Sequence, residues 1–271
     1  MFSFFILMSH TILIEKKRTK KTEHISNMEI ECKMQMFDDD SQLSNLELSI
    51  MKTRQASHTD RVLEELIAEC NSSIIDLSHQ DLTDDDMKQI IDLAIRKRQC
   101  QEIKLGYNRI TSNGMKILAE IFNENVPLRR MNLFHNQIDD QGVAYFSNSN
   151  FNLQTLFLGE NQITNHGATT LAQLIRTNQT LTQLGLAKNQ ITDQGMIELA
   201  DSLAHSNTTL KELYLWGNHL VNETCVGAFA DMLVYNRTLN KLVLFDCNLS
   251  NINKTRLRDV VQCRQDFLLV F

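Results

Sequence analysis

The chain has 271 residues, 42% of them apolar, with 33 acidic against 27 basic side chains and a formal net charge of -6. The two signs are interspersed, so the basic footprint of a nucleic-acid binder is missing and no nucleic-acid partner is expected. This apolar content supports one sizeable core or one extended stack of small units.

The chain opens on "MFSFFILMSHTILI", an apolar run interrupted by Ser9, His10 and Thr11 and followed by "EKKRTKK". A membrane-spanning helix needs about 20 apolar residues, and a secretory leader carries its positive charge ahead of the apolar run. The run fits neither template. Attachment to a membrane surface through residues 1–21 is the weak alternative to a plain leader. From Thr22 to about Met51, with Asp38 to Asp40 in a row, no periodicity is sustained. Residues 1–50 are therefore expected to form a disordered or weakly structured leader. In residues 51–71 the segment "TDRVLEELIAEC" sets Val62, Leu63, Leu66 and Ile67 on one helical stripe, which predicts an N-terminal capping helix.

From Ser72 one pattern recurs. Its clear copies are "LRRMNLFHNQI" from Leu128, "LQTLFLGENQI" from Leu153, "LTQLGLAKNQI" from Leu181 and "LKELYLWGNHL" from Leu210. Weaker copies start at Cys100 and Leu239, and a degenerate one at Ser72. The corner column reads Gln80, Asn108, Asn136, Asn161, Asn189, Asn218 and Cys247, in steps of 28, 28, 25, 28, 29 and 29. About seven repeats thus cover residues 72–250. Within each, apolar residues first alternate with period two, the mark of a short strand with one buried side. Asn follows where the chain must bend, and its amide can satisfy open backbone groups there. Gln80 and Cys247 depart from Asn, so the terminal units are expected to be looser. A helical phase comes next: Leu118, Ile121 and Phe122, like Leu171, Leu174 and Ile175, fall at i, i+3 and i+4. The third unit is three residues short, which predicts the shortest helix at "DDQGVAYF". Residues 251–271 are expected to form a C-terminal cap, with Leu257, Val260 and Val261 inward and "FLLVF" as a last strand or an exposed hazard.

The repeat resembles the leucine-rich repeat, and its length and full helix resemble the ribonuclease-inhibitor-like subclass, including repeats of the NOD-like-receptor type. The resemblance covers about residues 72–250. It implies an α/β fold: a right-handed leucine-rich-repeat solenoid, a horseshoe arc with parallel strands on the concave face and helices on the convex face.

No catalytic constellation stands out. The His residues show no metalloprotease spacing, and no phosphate loop or nucleophile elbow occurs, so the chain is expected not to be an enzyme and to hold no metal or cofactor. His135 is expected to be merely solvated. "TDDDMKQ" opens a predicted helix, where acidic side chains suit the positive end of the dipole. Six cysteines without C-x-x-C pairs read as free thiols of a reducing compartment, and the chain is expected in the cytoplasm. Sequons such as Asn207-Thr208-Thr209 and Asn236-Arg237-Thr238 are read as chance products of an Asn-rich sequence.

The outward strand positions carry the functional expectation. Phe134, Phe157, Tyr214, Trp216 and Phe245 share the concave face with Arg130 and Glu212, and these seven are the candidate partner-binding residues. Strand spacing puts Trp216 beside Phe245, and Phe157 about 10 Å from Tyr214 across Gly185, outlining a shallow aromatic slot. Either the rings cover one another to shield the strand layer, or they anchor a protein partner. Families of this subclass share protein binding, so the expected function is a non-catalytic interaction module or scaffold. The alternative is a regulator of a small GTPase, or an inhibitor of another enzyme by steric binding. Fold alone does not choose the partner.

Overall fold

The computed structural model describes residues 63–70, 73–147 and 152–271. The leader expected over residues 1–50, and the start of the capping helix expected over 51–71, lie outside the described residues.

Helix α1, Leu63–Glu69, precedes the first strand. The strands are β1 (Ile74–Asp76), β2 (Glu102–Lys104), β3 (Arg130–Asn132), β4 (Thr155–Phe157), β5 (Gln183–Gly185), β6 (Glu212–Tyr214), β7 (Lys241–Val243) and β8 (Leu268–Val270). Between them lie α2 (Met87–Ile90), α3 (Ser112–Ala119), α4 (Asp140–Ser147), α5 (Asn165–Thr177), α6 (Asp193–His205), α7 (Val226–Tyr235) and α8 (Asn251–Val261). Helix α2 follows a 3₁₀ turn at Asp84–Asp86 and runs on into a π-helical stretch, Ile91–Lys97. The strands form one open parallel sheet in chain order. Pairing advances by one repeat at each step, as in Met131 opposite Leu156, then Leu184, Leu213 and Leu242.

The alternation of the sequence decides which side of the sheet is covered. Ile103 and Leu105, Met131 and Leu133, Leu156 and Leu158, Leu184 and Leu186, and Leu213 and Leu215 are all buried, in one continuous core with Met115, Leu118, Leu171, Ile175, Met196, Leu199 and Leu203 of the helices. Each such side chain contributes about 1.5–3 kcal/mol by leaving water. No repeat could close this core alone, so each stacks on the next.

Three polar devices join neighbouring repeats. The first is the corner Asn. Asn136 Nδ2 donates to Leu105 O of the preceding repeat at 2.9 Å and to its own Leu133 O at 3.2 Å, while its Oδ1 accepts Ile110 N at 3.0 Å. Asn108, Asn161, Asn189 and Asn218 repeat this pattern. The second caps helices from the neighbouring repeat. Asp140 accepts from Thr164 N at 2.8 Å and Gly167 N at 2.9 Å, and Asn165 from Thr192 N at 2.9 Å and Gly195 N at 3.1 Å. Glycine is required at that third helical position because a Cβ on Gly195 would stand 2.8 Å from Asn165 Oδ1.

The third device corrects the reading of the sequons as chance. Asn178, Asn207 and Asn236 each stand three residues before the first Leu of a repeat, and their Oδ1 atoms accept from Leu181 N, Leu210 N and Leu239 N at 2.7 Å each. They are corner residues with the period of the solenoid.

Helix α4 has eight residues where α5 and α6 have 13, but it is not the shortest as expected, since α2 has four before its π-helical stretch. Helix α3 also has eight, but a 3₁₀ turn, Glu120–Asn123, extends it. At the sixth repeat the packing register moves by one residue: Leu220 is 55% exposed, and Val221 enters the core in its stead. The following corner is Cys247, whose thiol donates to Leu215 O at 3.2 Å as Asn would, but which has no carboxamide oxygen for the chain after Asn218. The loop is therefore not pinned as the earlier ones are. Arg98 donates to Ile67 O at 2.6 Å and Cys70 O at 3.0 Å, fastening α1 to the first repeat. Arg264 does the same beyond α8, donating to Asn236 O at 3.2 Å and to Leu239 O.

Candidate protein-binding face

Parallel pairing lines up the outward residues in columns across the sheet. The first column runs Glu102, Arg130, Thr155, Gln183, Glu212, Lys241, and the second Lys104, Asn132, Phe157, Gly185, Tyr214, Val243. One step further along each chain stand Gly106, Phe134, Gly159, Ala187, Trp216 and Phe245. All seven candidate residues lie on this face, turned away from the helices.

The first column is a polar ladder. Arg130 Nε meets Glu102 Oε2 at 2.6 Å, Thr155 donates to Gln183 Oε1 at 2.9 Å, Gln183 Nε2 donates to Glu212 Oε1 at 3.0 Å, and Lys241 Nζ lies 3.9 Å from Glu212 Oε2. The Tyr214 hydroxyl also donates to Glu212. Each charge is answered by the next strand, so the face carries rungs rather than one sign.

The rings are packed more closely than strand spacing alone implies. Phe157 and Tyr214 meet edge to face with centroids 5.9 Å apart, not at the roughly 10 Å expected across an empty Gly185. Gly185 has no side chain, so the Phe157 ring leans over it, and the expected slot is occupied. Phe134 covers Gly159 in the same way, where a Cβ would stand 2.7 Å from its ring. Trp216 and Phe245 stack with centroids 4.8 Å apart and planes 10° from parallel. Lys188 Nζ lies 5.0 Å over Trp216, and Lys241 Nζ 4.9 Å over Tyr214. In consequence Trp216 is only 1% exposed and Tyr214 6%, whereas Phe134, Phe157, Phe245 and Glu212 are half-buried and Arg130 is exposed. An approaching surface would meet the three Phe rings and Arg130, with Tyr214 and Trp216 as the layer beneath.

A fourth row escaped the sequence reading. The residue before each corner, His79, Tyr107, His135, Glu160, Lys188, Gly217 and Asp246, has a left-handed backbone with φ between 49° and 71°. Only one of them is glycine; the corner bonds hold the others there against a cost of about 1–2 kcal/mol each. This geometry brings their side chains into line along the rim of the face. His79 stacks on Tyr107 at 4.2 Å and Tyr107 on His135 at 4.7 Å; His135 Nδ1 lies 2.6 Å from Glu160 Oε2, and Glu160 pairs with Lys188. His135 is thus a rung, not merely solvated. Burial by itself would raise the Glu160 carboxyl, but Lys188 and then His135 outweigh it and hold the group below the usual range. Among the described residues no group of three or more His, Cys, Asp or Glu is placed to hold a metal ion, and no helix is long and apolar enough to cross a membrane.

The family described as Leucine Rich repeat matches residues 124–147, 149–172 and 177–200, in phase with the stacked units. The chain carries leucine-rich repeats of the ribonuclease-inhibitor-like kind. NACHT, LRR and PYD domains-containing protein 3 of Bos taurus is 30% identical over 194 residues, covering 69% of this chain and 19% of that protein. The ribonuclease inhibitor of Mus musculus is 26% identical over 214 residues, covering 67% of this chain and 47% of the inhibitor. The leucine-rich-repeat chain therefore spans about a fifth of the one relative and about half of the other. A solved structure of Leiomodin-1 Actin-Binding Site 2 covers 66% of this chain and 85% of that one, at 18% identity and a TM-score of 0.41. Leucine-rich-repeat domains generally serve as protein–protein interaction modules.

Proposed function

We propose that the chain is a non-catalytic interaction module that binds a protein partner across the sheet face, with Phe134, Phe157, Phe245 and Arg130 as contacts and Glu212, Tyr214 and Trp216 as their support. The observation that carries this reading is the set of half-buried Phe rings, Phe134 and Phe157 held over glycines and Phe245 stacked on Trp216, flanked by ionic rungs. Aromatic residues, Phe among them, and Arg are enriched at protein interfaces relative to the rest of the surface. A photo-crosslinking side chain at Phe134, compared with one at the exposed helix residue Arg176, tests it. Crosslinks confined to position 134, and abolished by Arg130→Glu, are the expected result; equal crosslinking from both faces would refute the reading.

A second reading, inhibition of an enzyme by steric cover, is supported by the similarity to the mouse ribonuclease inhibitor. Titrating the protein into a pancreatic-type ribonuclease assay tests it, and undiminished activity at micromolar protein would dismiss that enzyme as the target.

A further inference from the structure

We propose that N-linked glycosylation of its repeat-derived sequons and folding of this chain are mutually exclusive. This holds whatever partner the sheet face binds. The sequons Asn178-Gln179-Thr180, Asn207-Thr208-Thr209 and Asn236-Arg237-Thr238 recur with the period of the solenoid because Asn makes its corners. Sugar attaches to Asn Nδ2, and that atom is what the fold uses. Asn207 Nδ2 donates to Ile175 O at 2.8 Å and Asn178 O at 3.4 Å, and Asn236 Nδ2 donates to Leu203 O at 2.8 Å and Asn207 O at 3.0 Å. Both protons of each amide are engaged, and the residues are 5% and 4% exposed. In the folded chain neither atom can be reached; in an unfolded chain both can, and a sugar added there removes a needed proton and has no room when the next repeat docks.

The sequon at Asn222 is exposed, so a sugar there would be tolerated and serves as an internal control.

The test adds a cleavable secretory signal to the full chain in cultured cells, beside the variant Thr180→Val/Thr209→Val/Thr238→Val, which keeps all three Asn side chains but destroys their sequons. A parallel sample blocks glycan synthesis with tunicamycin. Peptide mapping is expected to show sugar on Asn207 and Asn236 in retained wild type, with secretion of folded protein restored several-fold by the variant or by the drug. Folded wild type in the medium, with or without sugar at those positions, overturns the proposal, as does failure of both treatments to restore secretion.

Discussion

The ring of Phe157 lies over the backbone of Gly185, so near that a Cβ at Gly185 would stand 2.6 Å from Phe157 Cδ1. This contact lets Phe157 reach Tyr214 across an intervening strand. Gly185→Ala should drive the ring off and cost about 1–3 kcal/mol, the usual range for overpacking. Urea unfolding measures the cost, and a double substitution with Phe157→Leu should recover most of it.

The corner amides are buried and fully used, so their loss leaves backbone groups without partners. Asn189→Ala should destabilise the protein by about 3 kcal/mol, since each unsatisfied buried group costs about 1–3 kcal/mol. Cys247→Asn should act in the opposite direction, by supplying the missing acceptor to the loop after Asn218. Denaturant midpoints of the two variants, compared with wild type, check both signs.

Asp193 couples two repeats and responds to acid. Burial by itself would raise its carboxyl, but Asn222 N, Cys225 N at 2.8 Å, and the Cys225 and Thr224 side chains outweigh it, so the group lies below its usual value. A depressed carboxylate adds stability above its unfolded pKa, about 3.9, and that stability is lost as pH falls through the lower native value. Wild type should therefore lose stability steeply below about pH 4. Asp193→Asn should start less stable at pH 7 and show a shallower acid slope in the same unfolding series.

Thiol reactivity should separate the cysteines by depth. Burial pushes the Cys100 thiol up to about 11 and the Cys247 thiol up to about 12, and raises Cys225 further with help from Asp193. Cys263 is exposed. Among the cysteines of the described residues, labelling with a chromogenic disulfide at pH 8 should modify Cys263 first and leave the three buried thiols untouched until urea is added. Their early modification in the native protein would show that the repeats open far more readily than their packing implies.

Helix α4, eight residues against 13 in α5 and α6, should be the easiest segment of the stack to open, because a missing turn removes both hydrogen bonds and buried surface. Its amides should exchange faster than those of α5. Equal protection across the three helices would contradict this.

The repeat, its phase and the side each strand residue faces were legible in the sequence, because period-two alternation and the corner Asn are local rules that each repeat states for itself. Those rules placed Leu213 and Leu215 inward and Tyr214 and Trp216 on the opposite face. How deeply the two rings are covered was decided only by the tertiary structure. Trp216 is closed over by Phe245 and Lys188, and Tyr214 by Phe157 and Lys241, all side chains about one or two repeats away in sequence. The rung from His79 to Lys188 was likewise invisible, since it depends on left-handed backbone at residues with no preference for it, imposed by the corner bonds of adjacent repeats. Local periodicity selects a face; burial and alignment on that face come from neighbours brought together only when the repeats stack.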